Sequence, residues 1–203
     1  MSYSVNIISQ AQKDTLFIRR NPKIPLSVTI NAVNRRYYLN IFKAMKPERV
    51  YKNVAEMPWD VLACDGIKAA LLDFDNTLGK DHATEPEEYS FKCIKMIEDR
   101  GIKCILVSNA KSGRSAGIAE KLGIPCVTYA NKPGTSGILK AMEIMESNSS
   151  NSVMVGDQVF TDVIAGNRAG LRTFMVEKLY KKEIWYVLLK RPFEKIVRII
   201  GKF

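Results

Sequence analysis

The chain lacks the features by which secreted and membrane-spanning proteins are usually recognised. Its 203 residues include four cysteines, scattered and without a CxxC pair, so we expect reduced thiols and a cytoplasmic location. No apolar run approaches the roughly 20 residues that cross a bilayer, and residues 1–9 lack the basic and apolar regions of a signal peptide. Any contact with a membrane is therefore expected to be peripheral.

Histidine is also scarce, since His82 is the only one in the chain. It has no partner motif, and we expect a surface or loop residue rather than a catalyst. The chemistry that the carboxylates of this sequence permit does not require it.

Positive charge is concentrated at the two ends of the chain. The net charge is +10, but residues 1–55 hold ten basic against two acidic residues, residues 178–203 hold eight against two, and residues 56–177 carry a net charge of −4. Basic ends interleaved with apolar residues indicate a polyanionic partner, either membrane lipid or nucleic acid. The alternatives are a solvated surface or, for the apolar faces of residues 183–202, docking on the same domain or on a partner subunit.

From Gly66 onward, short apolar runs alternate with helix-length segments, which is typical of a parallel sheet wrapped by helices. Strands are predicted at residues 67–72, 102–107, 126–130, 152–155 and 172–176. Helices are predicted at 86–100, 113–122, 132–146 and 161–169, with Gly101, Gly123 and Gly170 as left-handed terminators. The fold class is α/β, a doubly wound, Rossmann-like parallel sheet of about five strands. Residues 63–177 form the expected catalytic domain, between a basic, largely helical arm at 1–62 and basic amphipathic helices at 178–203.

Four polar residues follow separate strands: Asp73, Ser108, Lys132 and Asp157. Right-handed crossovers place the carboxyl ends of parallel strands at one edge, where function gathers in such sheets. We therefore expect these side chains to converge on one site.

The residue types at this edge suit phosphoryl transfer. Asp73 and Asp75 stand at positions i and i+2 after a buried strand, so one carboxylate can attack while the other moves protons. Asp157 adds an oxygen ligand for a small hard cation such as Mg²⁺. Ser108 and the backbone amides after Asp73 can donate hydrogen bonds to phosphoryl oxygens, and Lys132 supplies positive charge for the transition state.

The motifs DFDNTL (73–78), Ser108-Asn109, Lys132-Pro133 and GDQVFTD (156–162) together resemble the four ordered motifs of the haloacid-dehalogenase-like (HAD) superfamily. The resemblance implies that Asp73 is the nucleophile and Asp75 the general acid and base. It implies that Mg²⁺ is bound by Asp73, the Asp75 carbonyl and Asp157, with Asp162 supporting the site. The implied phosphate-binding and charge-stabilising residues are Asn76, Thr77, Ser108, Asn109 and Lys132.

Spacing along the chain narrows the expected substrate. Neither the interval from Asp73 to Ser108 nor that from Ser108 to Lys132 can hold a cap domain, so we expect a capless HAD core with an open edge suited to large or membrane-borne substrates. KPERVYKNVAEM before the first strand, DFDNTL, KPG and GDQVFTDVIAGNRAG resemble the phosphatidylglycerophosphate phosphatases of the bacterial and mitochondrial subfamily IIIA. The resemblance implies hydrolysis of this phospholipid to phosphatidylglycerol, by a protein peripherally bound to an anionic membrane.

Two alternatives stay open. One is a HAD phosphatase of a soluble phosphoester or nucleic-acid phosphate, although we expect lipid rather than nucleic acid as the partner. The other is a non-catalytic, membrane-associated scaffold. The sequence leaves a homo-oligomer open.

Overall fold

The structure, a computed structural model, describes residues 42–110 and 113–180. Most of the two predicted basic arms, at 1–41 and 181–203, lies outside the described residues. The described residues from Ala44 onward belong to one compact unit. Within the described part of the chain, no helix has both the length and the apolar character needed to cross a membrane.

Strands and helices alternate along the chain, as the hydrophobic pattern predicts. The strands are β1 (Arg49–Tyr51), β2 (Ala69–Leu72), β3 (Lys103–Val107), β4 (Cys126–Val127), β5 (Ser152–Gly156) and β6 (Arg172–Val176). The α-helices are α1 (Trp59–Cys64), α2 (Glu88–Glu98), α3 (Arg114–Leu122), α4 (Ser136–Ile144) and α5 (Ile164–Arg168). A 3-10 helix (Val54–Glu56) precedes α1, and a π-helix (Val159–Val163) leads into α5.

The strands form a parallel sheet in the order β1-β6-β5-β2-β3-β4. Leu72 at the end of β2 pairs with Leu106 of β3 on one side and with Val155 of β5 on the other. The chain moves outward from β2 through β3 and β4, and then returns to the other side of β2 with β5. The crevice at this switch point, beyond the carboxyl ends of β2 and β5, is where ligands bind in such sheets.

The count of about five strands was low by one. The arm at residues 1–62 was expected to be largely helical, but Arg49 pairs in parallel with Phe174, so β1 adds an outer strand to the sheet. A three-residue strand is too short for an alternating pattern to become visible in the sequence. Residues 49–51 thus lie in the catalytic sheet. The domain boundary at residue 62 stays a prediction.

Apolar layers cover both faces of the sheet. Ala70 and Leu72 of β2 point into a cluster with Trp59, Ile97 and other residues of α1, α2 and α3. Leu71 and its neighbours on the opposite face pack with residues of α4 and α5. Because both faces are covered, the strands are continuous apolar runs, and polar chemistry is restricted to the sheet edges.

Glycine ends helices where the sequence predicts it. Gly123 follows α3 with a φ of +72°, and its N–H bonds the last turn of that helix. Gly101 and Gly170 also have positive φ, so these predictions are confirmed. The turns bring the chain back to the start of the next parallel strand.

Candidate active site

Asp73 and Lys132 meet at the carboxyl edge of the sheet. Asp73 directly follows β2, and its N–H still donates to the carbonyl of Val155 in β5. Lys132 Nζ lies 2.7 Å from Asp73 Oδ1 and donates to the carbonyl of Val107 at the end of β3. A second ion pair, also 2.7 Å, joins Lys132 Nζ to Asp162 Oδ1. The lysine side chain is only 2% exposed, so its ammonium is held almost entirely by protein groups.

Asn109 fixes the backbone that carries Lys132. Its side-chain amide donates to the Lys132 carbonyl at 2.8 Å, and its Oδ1 accepts from the Lys132 N–H at 2.7 Å. The reciprocal pair resembles a backbone ladder across 23 residues of sequence. Asn109 therefore orients the lysine, whatever else it contacts.

Ser108 is buried at the end of β3 and oriented by two donors. Its Oγ accepts from the N–H of Ala110 at 3.1 Å and from the Ser115 hydroxyl at 3.0 Å. A serine hydroxyl carries one proton and two acceptor sites, so both acceptor sites are occupied. The remaining O–H can donate into the crevice.

Three buried carboxylates could hold a metal ion. One ligand oxygen each from Asp73, Asp157 and Asp162 lies within 4.8 Å of the others. Asp162 sits on the π-helix, and its Oδ2 accepts from the N–H of Gln158. Gly156 makes this approach possible, because a Cβ there would stand 2.4 Å from the Asp162 carboxyl group.

The electrostatics of this cluster fit a divalent cation. Burial raises the pKa of Asp73 to about 7; the Lys132 ammonium opposes this rise, whereas Asp162 and Asp75 add to it. Burial alone would lower the pKa of Lys132, but Asp162 and Asp73 raise it above its ordinary value. If all three carboxylates were ionised, the single ammonium of Lys132 would leave two negative charges in a buried site. Oxygen ligands with that charge suit a hard divalent cation, which would also favour the ionised form of Asp73.

Asp75 lies at the rim and is paired with Arg114, the first residue of α3. Arg114 Nη1 is 2.8 Å from Asp75 Oδ1, and Nη2 is 2.6 Å from Oδ2. Nη1 also donates to the carbonyl of Ala83, and the N–H of His82 donates to Asp75 Oδ1 at 3.0 Å. Hydrogen bonding to Asp75 raises the pKa of Arg114, which therefore stays charged.

A cavity of about 240 Å³ opens over this edge. Its lining includes the predicted site residues Asp73, Asp75, Ser108, Asn109 and Lys132. It also includes Gln158 and Thr161, motif positions to which no role was assigned, and four residues outside the motifs, which are Asp81, His82, Ala110 and Arg114.

Asn76 and Thr77, predicted to bind phosphate, lie buried just behind this lining. The N–H of Asn76 donates to the Gly79 carbonyl, and that of Thr77 to the Phe74 carbonyl, so both amides are used in the turn after β2. Among the described residues, neither Asn76 Oδ1 nor Thr77 Oγ1 has a hydrogen-bond partner. Their direct contact with phosphate stays a prediction.

A sequence profile of the family described as "Mitochondrial PGP phosphatase" matches residues 31–179. The chain belongs to this family. It is therefore a HAD-type phosphatase, that is, a phosphoric monoester hydrolase. The predicted resemblance is confirmed at the level of the family.

Two related sequences agree with the family assignment, and one solved structure serves as a comparison. "Probable phosphatase YqeG" of Bacillus subtilis is 29% identical over 75% of this chain and 89% of its own length. "Phosphatidylglycerophosphate phosphatase 1, chloroplastic" of Chlamydomonas reinhardtii is 28% identical over 66% of this chain but only 53% of its own length. Among solved structures, the cobalt-bound deoxy-D-mannose-octulosonate 8-phosphate phosphatase of Haemophilus influenzae covers 69% of this chain and 92% of its own, with 15% identity and a TM-score of 0.47.

Arg114 is one of the polar residues of the cavity lining that the sequence analysis did not predict. It belongs to none of the four motifs and stands at the start of a helix, where a single arginine usually carries no signal. Its position six residues after Ser108 could have drawn attention to it, because the loop after β3 must return toward the crevice.

Proposed function

We propose that this phosphatase hydrolyses the terminal phosphate of phosphatidylglycerophosphate, with Asp73 as nucleophile and Mg²⁺ as cofactor. The observation that carries the proposal is the buried Asp73 carboxylate at the edge of the cavity, 2.7 Å from Lys132 Nζ, in a chain of the PGP phosphatase family. A nucleophile there meets a phosphate beside a fixed cation, which is the arrangement that phosphoryl transfer needs.

The reaction proceeds in two displacements. A carboxylate oxygen of Asp73 forms a bond to phosphorus while the bond from phosphorus to the glycerol oxygen breaks, and Asp75 gives its proton to that leaving oxygen. Water then attacks the phosphorus of the aspartyl phosphate, Asp75 takes a proton from it, and the bond to Asp73 breaks. The products are phosphatidylglycerol and inorganic phosphate, and both aspartates are regenerated.

The other site residues stabilise the charge on the phosphoryl group. Lys132 lies beside the attacking oxygen, and Ser108 directs its remaining O–H toward the crevice. Asp73, Asp157 and the Asp75 carbonyl would hold Mg²⁺, which would neutralise part of the charge that nucleophile and substrate share. Asp162 is close enough to Asp73 and Asp157 to bind the same ion. The ion pair with Asp162 keeps Lys132 in place.

The lipid substrate is supported by the family and by the shape of the catalytic edge. Between β2 and β3 the chain forms one loop and the helix α2, so this segment contains no cap domain. A site without a lid admits a headgroup that stays attached to a bilayer. We propose that the basic ends of the sequence bind anionic lipid and that the protein acts in the cytoplasm, at the membrane surface.

A phosphate-release assay tests the proposal. Purified protein is given phosphatidylglycerophosphate in mixed micelles, glycerol 3-phosphate or a 5′-phosphorylated oligonucleotide, each with Mg²⁺ or with EDTA. We expect phosphate release with Mg²⁺ and none with EDTA, and faster release from the lipid than from either other substrate. Faster release from either other substrate would favour a soluble or nucleic-acid phosphoester, and release from none would favour the scaffold.

The covalent intermediate has a test of its own. Acid quenching within milliseconds of mixing with labelled substrate should trap phosphate on the wild-type chain. The Asp73→Asn chain should carry no label. Equal labelling of the two chains would exclude Asp73 as the nucleophile.

A further inference from the structure

Arg114 makes extensive polar contacts at the rim of the cavity. The two displacements of the proposed reaction do not explain them. Its guanidinium bonds both carboxylate oxygens of Asp75 and the Ala83 carbonyl, at distances of 2.6–2.9 Å. The arginine side chain is 13% exposed and that of Asp75 is 23% exposed. A half-buried, bidentate pair has a defined geometry, unlike a pair of mobile surface side chains.

The pair joins two separate segments of the site. Arg114 begins α3, which follows the Ser108 segment, whereas Asp75 and Ala83 belong to the loop after β2. The N–H of His82 also donates to Asp75 Oδ1, so this loop folds back onto the carboxylate. Arg114 thus connects the two ends of the loop to the segment that follows β3.

The contacts distinguish the two oxygens of Asp75. Each carboxylate oxygen has about two acceptor sites. Oδ1 accepts from Arg114 Nη1 and from the His82 N–H, which fills it. Among the described residues, Oδ2 accepts only from Arg114 Nη2, so one site on Oδ2 remains for a proton.

We propose that Arg114 is a positioning residue for Asp75, which it holds with Oδ2 available to exchange a proton with the leaving oxygen and with water. The inference rests on the proposed function, because it concerns the proton transfers of the same reaction. It assigns Arg114 no contact with the substrate phosphate.

The dependence of rate on the leaving group tests this role. An alkoxide needs a proton as it departs, whereas p-nitrophenolate departs without one, so a displaced Asp75 slows only the alkyl substrate. For Arg114→Met we expect kcat/KM to fall about 10- to 100-fold on phosphatidylglycerophosphate and glycerol 3-phosphate. On p-nitrophenyl phosphate we expect kcat/KM to stay within about threefold of wild type.

The chain offers a matched control in Arg100. Its guanidinium also bonds both carboxylate oxygens of one aspartate, Asp60, and a backbone carbonyl, that of Met96. This cluster lies away from the cavity lining. Arg100→Met therefore removes an equivalent set of bonds far from the site, and kcat/KM should stay near wild type on all three substrates.

A second variant asks whether Arg114 acts through Asp75. Adding Arg114→Met to the Asp75→Asn variant should not lower kcat/KM on the alkyl substrates any further, because the effects of substitutions at residues that act as a unit are not additive. If Arg114→Met does not fold, Arg114→Lys takes its place, since a lysine keeps the charge but not the two-pronged geometry.

Two results would overturn the inference. An equal fall in kcat/KM on alkyl and aryl substrates would mean that Arg114 binds the phosphate itself. A further loss in the double variant would mean that it acts independently of Asp75. A wild-type chain active on glycerol 3-phosphate but not on phosphatidylglycerophosphate would instead contradict the proposed substrate, and the leaving-group comparison would still decide the role of Arg114.

Discussion

A cation lies between two carboxylates at the carboxyl ends of the strands, and a second such group lies at their amino ends. At the carboxyl edge, Lys132 lies 2.7 Å from both Asp73 and Asp162, and its side chain is 2% exposed. At the amino edge, Arg172 lies 2.6 Å from Glu48 and 2.8 Å from Asp65, and its side chain is 34% exposed. Each of these two groups pairs one cation with two carboxylates, but the two groups differ in their access to water.

This difference separates a functional cluster from a structural one. Moving charges out of water costs several kcal/mol per ion, which ion pairing only partly offsets, so the Lys132 cluster stores unfavourable energy that catalysis can use. The Arg172 cluster keeps its hydration, and such surface pairs contribute about 1 kcal/mol or less. Apolar packing of the sheet must therefore support the carboxyl edge.

The largest expected effect follows from neutralising the nucleophile. Asp73→Asn should lower phosphatase activity by about 10⁴-fold or more, because no other carboxylate can form the intermediate. It also removes a buried charge, so the free energy of unfolding without metal should stay equal or rise. Phosphate release measures the activity, and urea denaturation measures the free energy of unfolding. A clear loss of stability would mean that the carboxylate supports the fold.

Lys132→Met removes the cation of the buried cluster. Activity should fall about 10²- to 10³-fold, as when a preorganised charge is lost from a transition state. The free energy of unfolding should fall by about 3 kcal/mol, since Asp73 and Asp162 are left buried without their counter-ion. Thermal and urea denaturation measure this loss. A variant as stable as wild type would contradict the account of the buried cluster.

Mg²⁺ should relieve the same electrostatic cost. The folded-state pKa of Asp73 is raised, so protonation stabilises the metal-free fold below about pH 7, and this stabilisation is lost as the pH rises through that value. The cation requires the ionised form, so its effect should grow from about pH 5 to 8. At about 100 times Kd, Mg²⁺ should raise Tm by roughly 5–10 °C. Asp157→Asn should abolish the shift, and a shift that shrinks with rising pH would contradict the assignment.

Periodicity and motif order predicted the central fold and the convergence of the site. Strands β2, β3, β5 and β6 are apolar on both faces, and each is bounded by turn residues, so their number and direction follow from the pattern. Once the strands are parallel, residues at or shortly beyond their carboxyl ends share an edge, and Lys132 reaches it after a short loop beyond β4. For this reason Asp73, Ser108, Lys132 and Asp157 could be expected together before any distance was known.

The features that the sequence did not predict depend on contacts between residues far apart along the chain. β1 is stabilised by pairing with β6 rather than by its own three residues. Arg114 reaches Asp75 across 39 residues, and only the three-dimensional path of the loop after β2 brings them together. Asn109 lines the cavity, and its contact with phosphate stays a prediction; its bonds to the backbone of Lys132 are a contact that motif order does not reveal.

The smallest expected effect completes the comparison at the amino edge. Arg172→Met breaks the pairs with Glu48 and Asp65 and a contact with the Phe174 ring, 5.5 Å from the guanidinium carbon. The free energy of unfolding should fall by about 1 kcal/mol, and activity should stay within about twofold of wild type, because this edge is remote from the cavity. Since exposed pairs are screened, the difference in Tm from wild type should shrink between 0.05 and 1 M NaCl. A loss comparable to that of Lys132→Met, unchanged by salt, would mean that burial does not distinguish the two edges.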